Sequence, residues 1–348
     1  MTNLRDYHFF DHLISHLKIT FFSFLILLIS WDCNKHNPVE NDEDLNSGKY
    51  LNSIYFTDSN NGYSVGDDGL ILKTTNGGVN WTQLNPYGSN LVAVCFPSLN
   101  EGYFVSFFTS GAGYGGIYKT SDAANSWSRL ISYMPILNNI SFITPEIGFA
   151  VGQHGTLLKT INGGNDWTAP STGRTENLLS IHFNSVKNGC VVGSNGLVMT
   201  TIDTGNNWVF HPTYIPNALI AVSFPTNNIG FATGTLGIIL KTEDEGVTWN
   251  FQYSGTTQNL KSLYFVNSKT GYVIGDSGII LKTNDGGIKW TPPNSSLPVS
   301  GAQIEFRTVF FTDSLTGYVV GGVKDYSLVV YPLILKTTDG GRKWMRQF

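Results

Sequence analysis

The sequence predicts an all-β chain folded as a single seven-bladed β-propeller, with four antiparallel strands in each blade. Three observations predict it. A phrase of Thr, then Asn or Asp, then Gly, then Trp recurs seven times between Lys73 and Trp344. The intervals between its tryptophans are 46, 40, 41, 41, 41 and 54 residues, and a period of about 40 residues in strand-rich sequence marks a propeller with one blade per repeat. No long stretch after residue 50 shows helical periodicity.

The first repeat justifies each element in order. Leu51–Phe56 reads as a strand, and Thr57–Asn61 is a turn cluster. Gly62–Val65 is a second strand, closed by the tight hairpin Gly66-Asp-Asp-Gly69, and Leu70–Lys73 is a third. The recurring Thr/Asn/Gly turn follows, and Trp81–Leu84 makes the fourth strand. Gly supplies positive φ at such turns, while Asn and Asp bond back to nearby backbone N–H groups. The template falls on the other units, whose first-strand cores are Val94/Phe96, Ile140/Phe142, Ile181/Phe183, Val222/Phe224, Leu263/Phe265 and Val309/Phe311. Blades packed on both faces call for near-continuous apolar runs.

Composition sets further bounds. The formal charge is −4 and no block of Lys or Arg forms a stripe, which argues against a nucleic-acid partner. The 38 glycines follow no Gly-X-Y period, so they belong to turns. Three segments are expected: a signal segment at 1–32, a polar tether at 33–48 and the propeller at 49–348.

The turn phrase resembles the Asp-box, or bacterial neuraminidase repeat, of pattern Ser/Thr-x-Asp-x-Gly-x-x-Trp. The matching acidic or amide residues are Asn76, Asp122, Asn162, Asp203, Asp244, Asp285 and Asp339. Their indoles are Trp81, Trp127, Trp167, Trp208, Trp249, Trp290 and Trp344. The resemblance implies a hairpin clasp between third and fourth strands, in which hydroxyl and carboxylate or amide cap turn N–H groups and the indole covers the fold-back. A ring of acidic catalytic or metal-binding residues is the alternative, but Asn76 and Asn162 cap a turn well and are poor acids or ligands. Ala124 replaces the Gly of the second copy, so that turn is expected to be distorted. A Lys precedes the Thr in six copies (Lys73, Lys119, Lys159, Lys241, Lys282, Lys336), with Thr200 in the seventh. These lysines are expected to lie along the outer edge of each blade and blunt an exposed strand, an anion-binding rim being the alternative.

From Tyr50 to Trp344 the chain also resembles the photosystem II stability/assembly factor family of propellers. The resemblance rests on Gly-Tyr-x-Val-Gly-x-x-Gly-x-Ile-Leu-Lys-Thr-x-Asp-Gly-Gly-x-x-Trp, seen best at Gly271–Trp290. It implies a non-catalytic extracytoplasmic propeller that binds a protein partner during assembly.

Residues 19–29 form an apolar run after Arg5 and Lys18, too short to span a bilayer at ~20 residues but suited to a signal-peptide core. Cys33 follows, then a polar, acidic stretch, a layout that resembles a bacterial lipoprotein signal. It implies export and lipid attachment at Cys33 on the periplasmic or surface side of an outer membrane. Membrane contact would then run only through that anchor. A standard secretory peptide and an uncleaved anchor are the alternatives. Cys95 and Cys190 sit a whole blade apart, beyond the ~7 Å that a disulfide tolerates between Cα atoms, so both read as buried free thiols.

No catalytic constellation emerges. Sialidases need three converging arginines, and Arg129, Arg174, Arg307, Arg342 and Arg346 do not converge on the repeat template. Two-carboxylate glycosidases need acids ~5–10 Å apart, and xyloglucanase-type enzymes place theirs between two propellers. Asp67, Asp68 and Asp276 fall in turns that recruit Asp for backbone reasons. His36, His154, His182 and His211 share no metal-ligand spacing, so neither a metal nor a cofactor is expected. The expected function is a protein-binding scaffold, with glycan binding or divergent glycoside hydrolysis as the alternative.

A partner surface is expected over blades seven, one and two. Two of the second-to-third-strand turns are enlarged, at Ser106–Gly115 and Gly322–Pro332, and the connection at Thr291–Gln303 is long. Long loops on a rigid scaffold carry function, and Phe107, Phe108, Tyr114, Tyr326 and Tyr331 are the residue types that anchor interfaces. The alternative is that both loops are extended hairpins covering each other.

Overall fold

The computed structural model describes residues 47–84, 88–108, 114–293, 297 and 303–348. Cys33 and the apolar run at 19–29 lie outside the described residues. The chain forms seven antiparallel sheets in sequence order, each running inner to outer as consecutive strands. Blade one is Leu51–Phe56, Gly62–Gly66, Ile71–Thr74 and Thr82–Leu84. In blades three and six the fourth strand shrinks to one bridge, Lys159 to Thr168 and Lys282 to Thr291. Helical structure among the described residues is limited to single 3₁₀ turns such as Asp67–Gly69.

Each seam between blades holds one hydrophobic cluster. Its centre is the Phe at the end of each first strand, or one residue beyond it in blades two and five. The Gly that opens the second strand faces this ring, and a Cβ at Gly62 would lie 2.5 Å from Phe56. That absent side chain lets the ring lie flat over the backbone. From the other side, an aromatic on the preceding blade's second strand stacks on the Phe. The pairs are Tyr63–Phe96, Tyr103–Phe142, Phe149–Phe183, Phe231–Phe265, Tyr272–Phe311 and Tyr318–Phe56, with centroids 4.0–4.5 Å apart. Such pairs contribute roughly 0.5–1.5 kcal/mol beyond their buried area. The turn Trp meets its own blade's Phe edge-on, as in Phe56–Trp81 at 6.0 Å and 83°.

The turn between third and fourth strands closes the same way in all seven copies. The Gly or Ala N–H donates to the Thr Oγ1 at 2.9 or 3.0 Å. The Asn or Asp Oδ1 accepts the N–H four residues on, at 2.8–3.0 Å. The expected distortion at Ala124 does not occur. Ala123 and Ala124 take φ of 57° and 69°, beside 66° and 75° at Gly77 and Gly78. Tertiary packing holds two alanines in the left-handed region, at about 1–2 kcal/mol per residue.

The lysines also correct the sequence expectation. They stand on the third strand, inside the sheet, and do not blunt an edge. Lys73, Lys119, Lys282 and Lys336 each cross to the next blade and donate to a turn carbonyl, at Ala123 (2.7 Å), Gly163 (3.0 Å), Gly340 (2.8 Å) and Gly77 (2.6 Å). The stacked tyrosine of the same seam donates to that same oxygen at 2.7–3.2 Å. The ammonium sits 5.3–5.6 Å from the tyrosine ring, within cation–π range. Ring and lysine thus form a clamp between neighbouring blades.

Ring closure uses this clamp rather than a shared sheet. Blade seven is Gln303–Phe311, Gly317–Lys324, Val330–Thr337 and Met345–Arg346, all from the end of the chain. Tyr318 stacks on Phe56 at 4.1 Å, and Thr308 Oγ1 donates to the Asn52 carbonyl at 2.8 Å. Gly48, ahead of the first strand, is also tied down, because its N–H donates to the Val330 carbonyl at 2.6 Å.

Candidate functional site

The inner wall of the ring is built from the seven first strands, and all seven carry a bulge near their start. A bulge re-aims the extra residue and ends regular pairing. The residues at this position line a cavity of about 750 Å³ at the mouth of the central channel. Blades six, seven and one supply Lys261, Arg307 and Asn52, while blades two, four and five supply Val92, Leu179 and Ile220. Blade three places Asn138 among the apolar residues. The mouth is therefore charged and polar along one arc and largely apolar along the other.

The cations of the polar arc are held in place by acids. Arg307 Nη2 lies 3.0 Å from Glu305 Oε2, and Lys261 Nζ lies 3.4 Å from Asp276 Oδ1. The guanidinium lies over the Tyr50 ring at 4.8 Å. Arg307 Nε is buried with no hydrogen-bond partner among the described residues. Asp67 accepts from the Tyr50 N–H and Asn52 Nδ2, at 3.1 and 2.9 Å, so it positions the arc. Burial raises the Tyr50 pKa, with Lys324 acting in the opposite direction. Three residues further along the same strands, Phe310 lies 5.4 Å from both Tyr55 and Tyr264. Burial beside Cys95 and Tyr264 pushes Tyr55 up to about 12, so these rings form an uncharged inner tier.

The structure separates the five aromatics singled out from the sequence. Phe107 lines the mouth, beside Phe108, which is partly exposed. The Phe108 N–H donates to the Tyr114 carbonyl at 3.0 Å, closing the blade-two hairpin, and Tyr114 is exposed. Tyr326 stands at the tip of the blade-seven hairpin with 90% of its surface exposed. Tyr331 packs onto the cluster between blades six and seven, so it supports the hairpin. The blade-seven enlargement is an extended hairpin of two eight-residue strands. Sequence reasoning passed over Lys261 and Asn52, and weighed Arg307 only among the arginines of a sialidase. Their signal was available in the alignment of repeats, where one position after the first strand's leading Leu or Phe varies in polarity.

Cys95 and Cys190 are both buried free thiols, and desolvation raises the pKa of each. His211 Nε2 hydrogen-bonds Thr200 Oγ1 at 2.7 Å, and Arg174 pairs with Glu176 while stacking on Phe210 at 4.2 Å. Neither group reaches the mouth lining.

Fold and site together define a closed seven-bladed propeller with a two-sided axial mouth. The chain belongs to the photosynthesis system II assembly factor YCF48 family, whose model matches residues 131–208, 169–253 and 249–347. The structure is similar to YCF48 from Cyanidioschyzon merolae, at 17% identity and a TM-score of 0.66, covering 84% of this chain and 96% of that one. It is similar to YCF48 bound to D1 peptide, at 16% identity and a TM-score of 0.66, covering 84% and 92%. It is also similar to a GH74 xyloglucanase from Xanthomonas campestris, at 10% identity and a TM-score of 0.68, covering 86% of this chain and 54% of that enzyme. At these identities the likenesses show the fold. No curated protein matches the chain.

Proposed function

We propose that this propeller captures a protein partner without catalysis, and that an extended peptide segment of that partner lies across the axial mouth. The observation that carries this is the division of the mouth. An acidic side chain or terminal carboxylate fits Arg307 and Lys261, whereas apolar side chains fit Val92, Leu179 and Ile220. A guanidinium suits carboxylate recognition because its fork of donors matches both oxygens. Phe107, together with the exposed Tyr114 and Tyr326, extends this surface toward blades two and seven. The family membership and the likeness to a YCF48 with a bound peptide support the same reading.

A library of peptides with random C-terminal residues tests it. Enrichment of sequences with apolar side chains near a carboxylate is expected, and Arg307→Ala should weaken the selected peptides at least tenfold, as loss of a buried charge pair does (~2 kcal/mol or more). A library that enriches nothing, alongside binding on a glycan array, would transfer the function to the carbohydrate-binding alternative.

The propeller is further proposed to be exported and held at the cell envelope by lipid on Cys33. The apolar run at 19–29 and the acidic stretch after Cys33 motivate this. Cys33→Ser should release the propeller in soluble form, and lipid labelling should be lost. Unchanged processing in the presence of globomycin, with no lipid label on the native chain, defeats the proposal.

A further inference from the structure

We propose that the seam between blades four and five is a binding pocket for a small arylalkylammonium compound, one carrying a flat ring and a primary ammonium group. The chain's other seams show what such a site takes. Six of them place an aromatic ring against the next blade's Phe at 4.0–4.5 Å. Four add a lysine that shares a turn carbonyl with the tyrosine hydroxyl. In blade four, Cys190 and Thr200 occupy these two positions, paired with each other across the second and third strands. Ring and ammonium are both missing from the same seam.

What remains is a cleft of about 340 Å³ lined by His182, Cys190, Thr200, Phe224, Asp244 and Glu245. That volume lies within the range of small-molecule sites. One edge of Phe224 still meets Trp249 at 6.1 Å, but its stacking partner is only His182, at 6.0 Å. The Glu245 carbonyl is the counterpart of those at Ala123 and Gly340, and it accepts no hydrogen bond among the described residues. Asn184 Oδ1, also in the lining, is buried without a partner.

The charge of the cleft selects a cation. Among the described residues no Lys or Arg lines it, whereas Asp244 and Glu245 do. Burial works to raise the Asp244 pKa, but hydrogen bonds from Thr248 and Thr242 outweigh it and hold the carboxyl below its ordinary value. Desolvation lowers His182 to about 4, so it adds no positive charge near neutral pH. A ring laid on Phe224 would restore the missing stack, and its ammonium would meet the Glu245 carbonyl in a cleft lined by two acidic residues. The pocket opens among the turns and has no lining residue in common with the axial mouth, so the two proposals stand or fall separately.

Tyramine is the probe, titrated into the full chain by calorimetry and by thermal melting. Saturable one-to-one binding is expected, with Tm rising by roughly 3 °C at tenfold above Kd. 4-Ethylphenol lacks the ammonium and n-butylamine lacks the ring, and each should bind at least tenfold more weakly. The double variant Cys190→Tyr with Thr200→Lys supplies both missing groups and should abolish the tyramine response while melting no lower than the native chain. Thr200→Lys alone changes the packing less and should still weaken tyramine at least tenfold. Absence of saturation below about 10 mM, where the binding free energy is under ~3 kcal/mol, overturns the proposal. Equal binding of 4-ethylphenol, or undiminished binding to the folded Thr200→Lys variant, overturns it as well.

Discussion

The seam that closes the ring and the seam between blades four and five invert what chain connectivity would suggest. Blades seven and one lie at opposite ends of the sequence, yet Tyr318 and Lys336 both reach the Gly77 carbonyl, at 2.7 and 2.6 Å, and Tyr318 stacks on Phe56. Blades four and five are consecutive in the chain, yet their seam holds neither clamp residue and leaves a cleft. Cohesion in this ring follows from which side chains occupy two positions per repeat, and covalent continuity adds little. This accords with repeat architectures, whose stability is approximately a sum of units and nearest-neighbour interfaces.

Removing the central ring of each seam gives the largest test of this contrast. Phe56→Ala should cost about 3–5 kcal/mol, the usual range for a buried Phe. Phe224→Ala should cost roughly 1–2 kcal/mol less, because one face of that ring already borders a cleft. Urea denaturation of both variants measures the difference, and equal costs would mean that the clamp contributes nothing.

Two turn substitutions should act as mirror images. A Cβ at Gly78 would sit 2.8 Å from the Tyr318 ring, at φ of +75°. Gly78→Ala should therefore destabilise by about 1–2 kcal/mol through backbone strain alone, and more if the ring cannot shift. Ala124→Gly relieves the same strain in the second blade and should stabilise by about 1 kcal/mol, read as a rise in Tm.

The smallest effect concerns pH. Hydrogen bonds from the Ser126 side chain and backbone, with one from Thr120, hold Asp122 at about 2 against an ordinary 3.8. The folded state thus favours the carboxylate. Its contribution is complete above about pH 4 and is lost as pH falls through about 2. Asp122→Asn should flatten the stability curve in that window, since Asn76 and Asn162 fill the same role without titrating. An unchanged acid limb would show that Asp122 takes no part in it.

Much of the architecture was legible because the turn phrase is local chemistry. Thr, Asx and Gly at fixed offsets dictate one hairpin, and seven copies dictate a ring. The clamp was not legible, although every residue of it was visible. Lys73 and Ala123 lie 50 residues apart, and only the packing of blades brings the ammonium to that carbonyl. Ala124 misled for a related reason, since a steric preference of one residue yields to a turn fixed by its neighbours. The sequence did reveal Thr200 as a departure from the repeat, but the consequence depended on its sharing a seam with Cys190. At the mouth, Arg307 and Lys261 show in the aligned repeats only as one position of varying polarity, and nothing in residue type says that a bulge turns that position inward.

A photocrosslinking amino acid placed at Ile220, on the apolar arc of the mouth, tests the central claim most directly. The comparison position is Ile161, an exposed residue in the blade-three turn. Irradiation of the full chain in its native cells, or with a peptide from the random library, should yield a discrete crosslinked protein or peptide from Ile220 and none from Ile161. It should fade when Arg307→Ala is introduced. A crosslink from Ile161 alone, or one from Ile220 that ignores Arg307, would contradict peptide capture at the axial mouth.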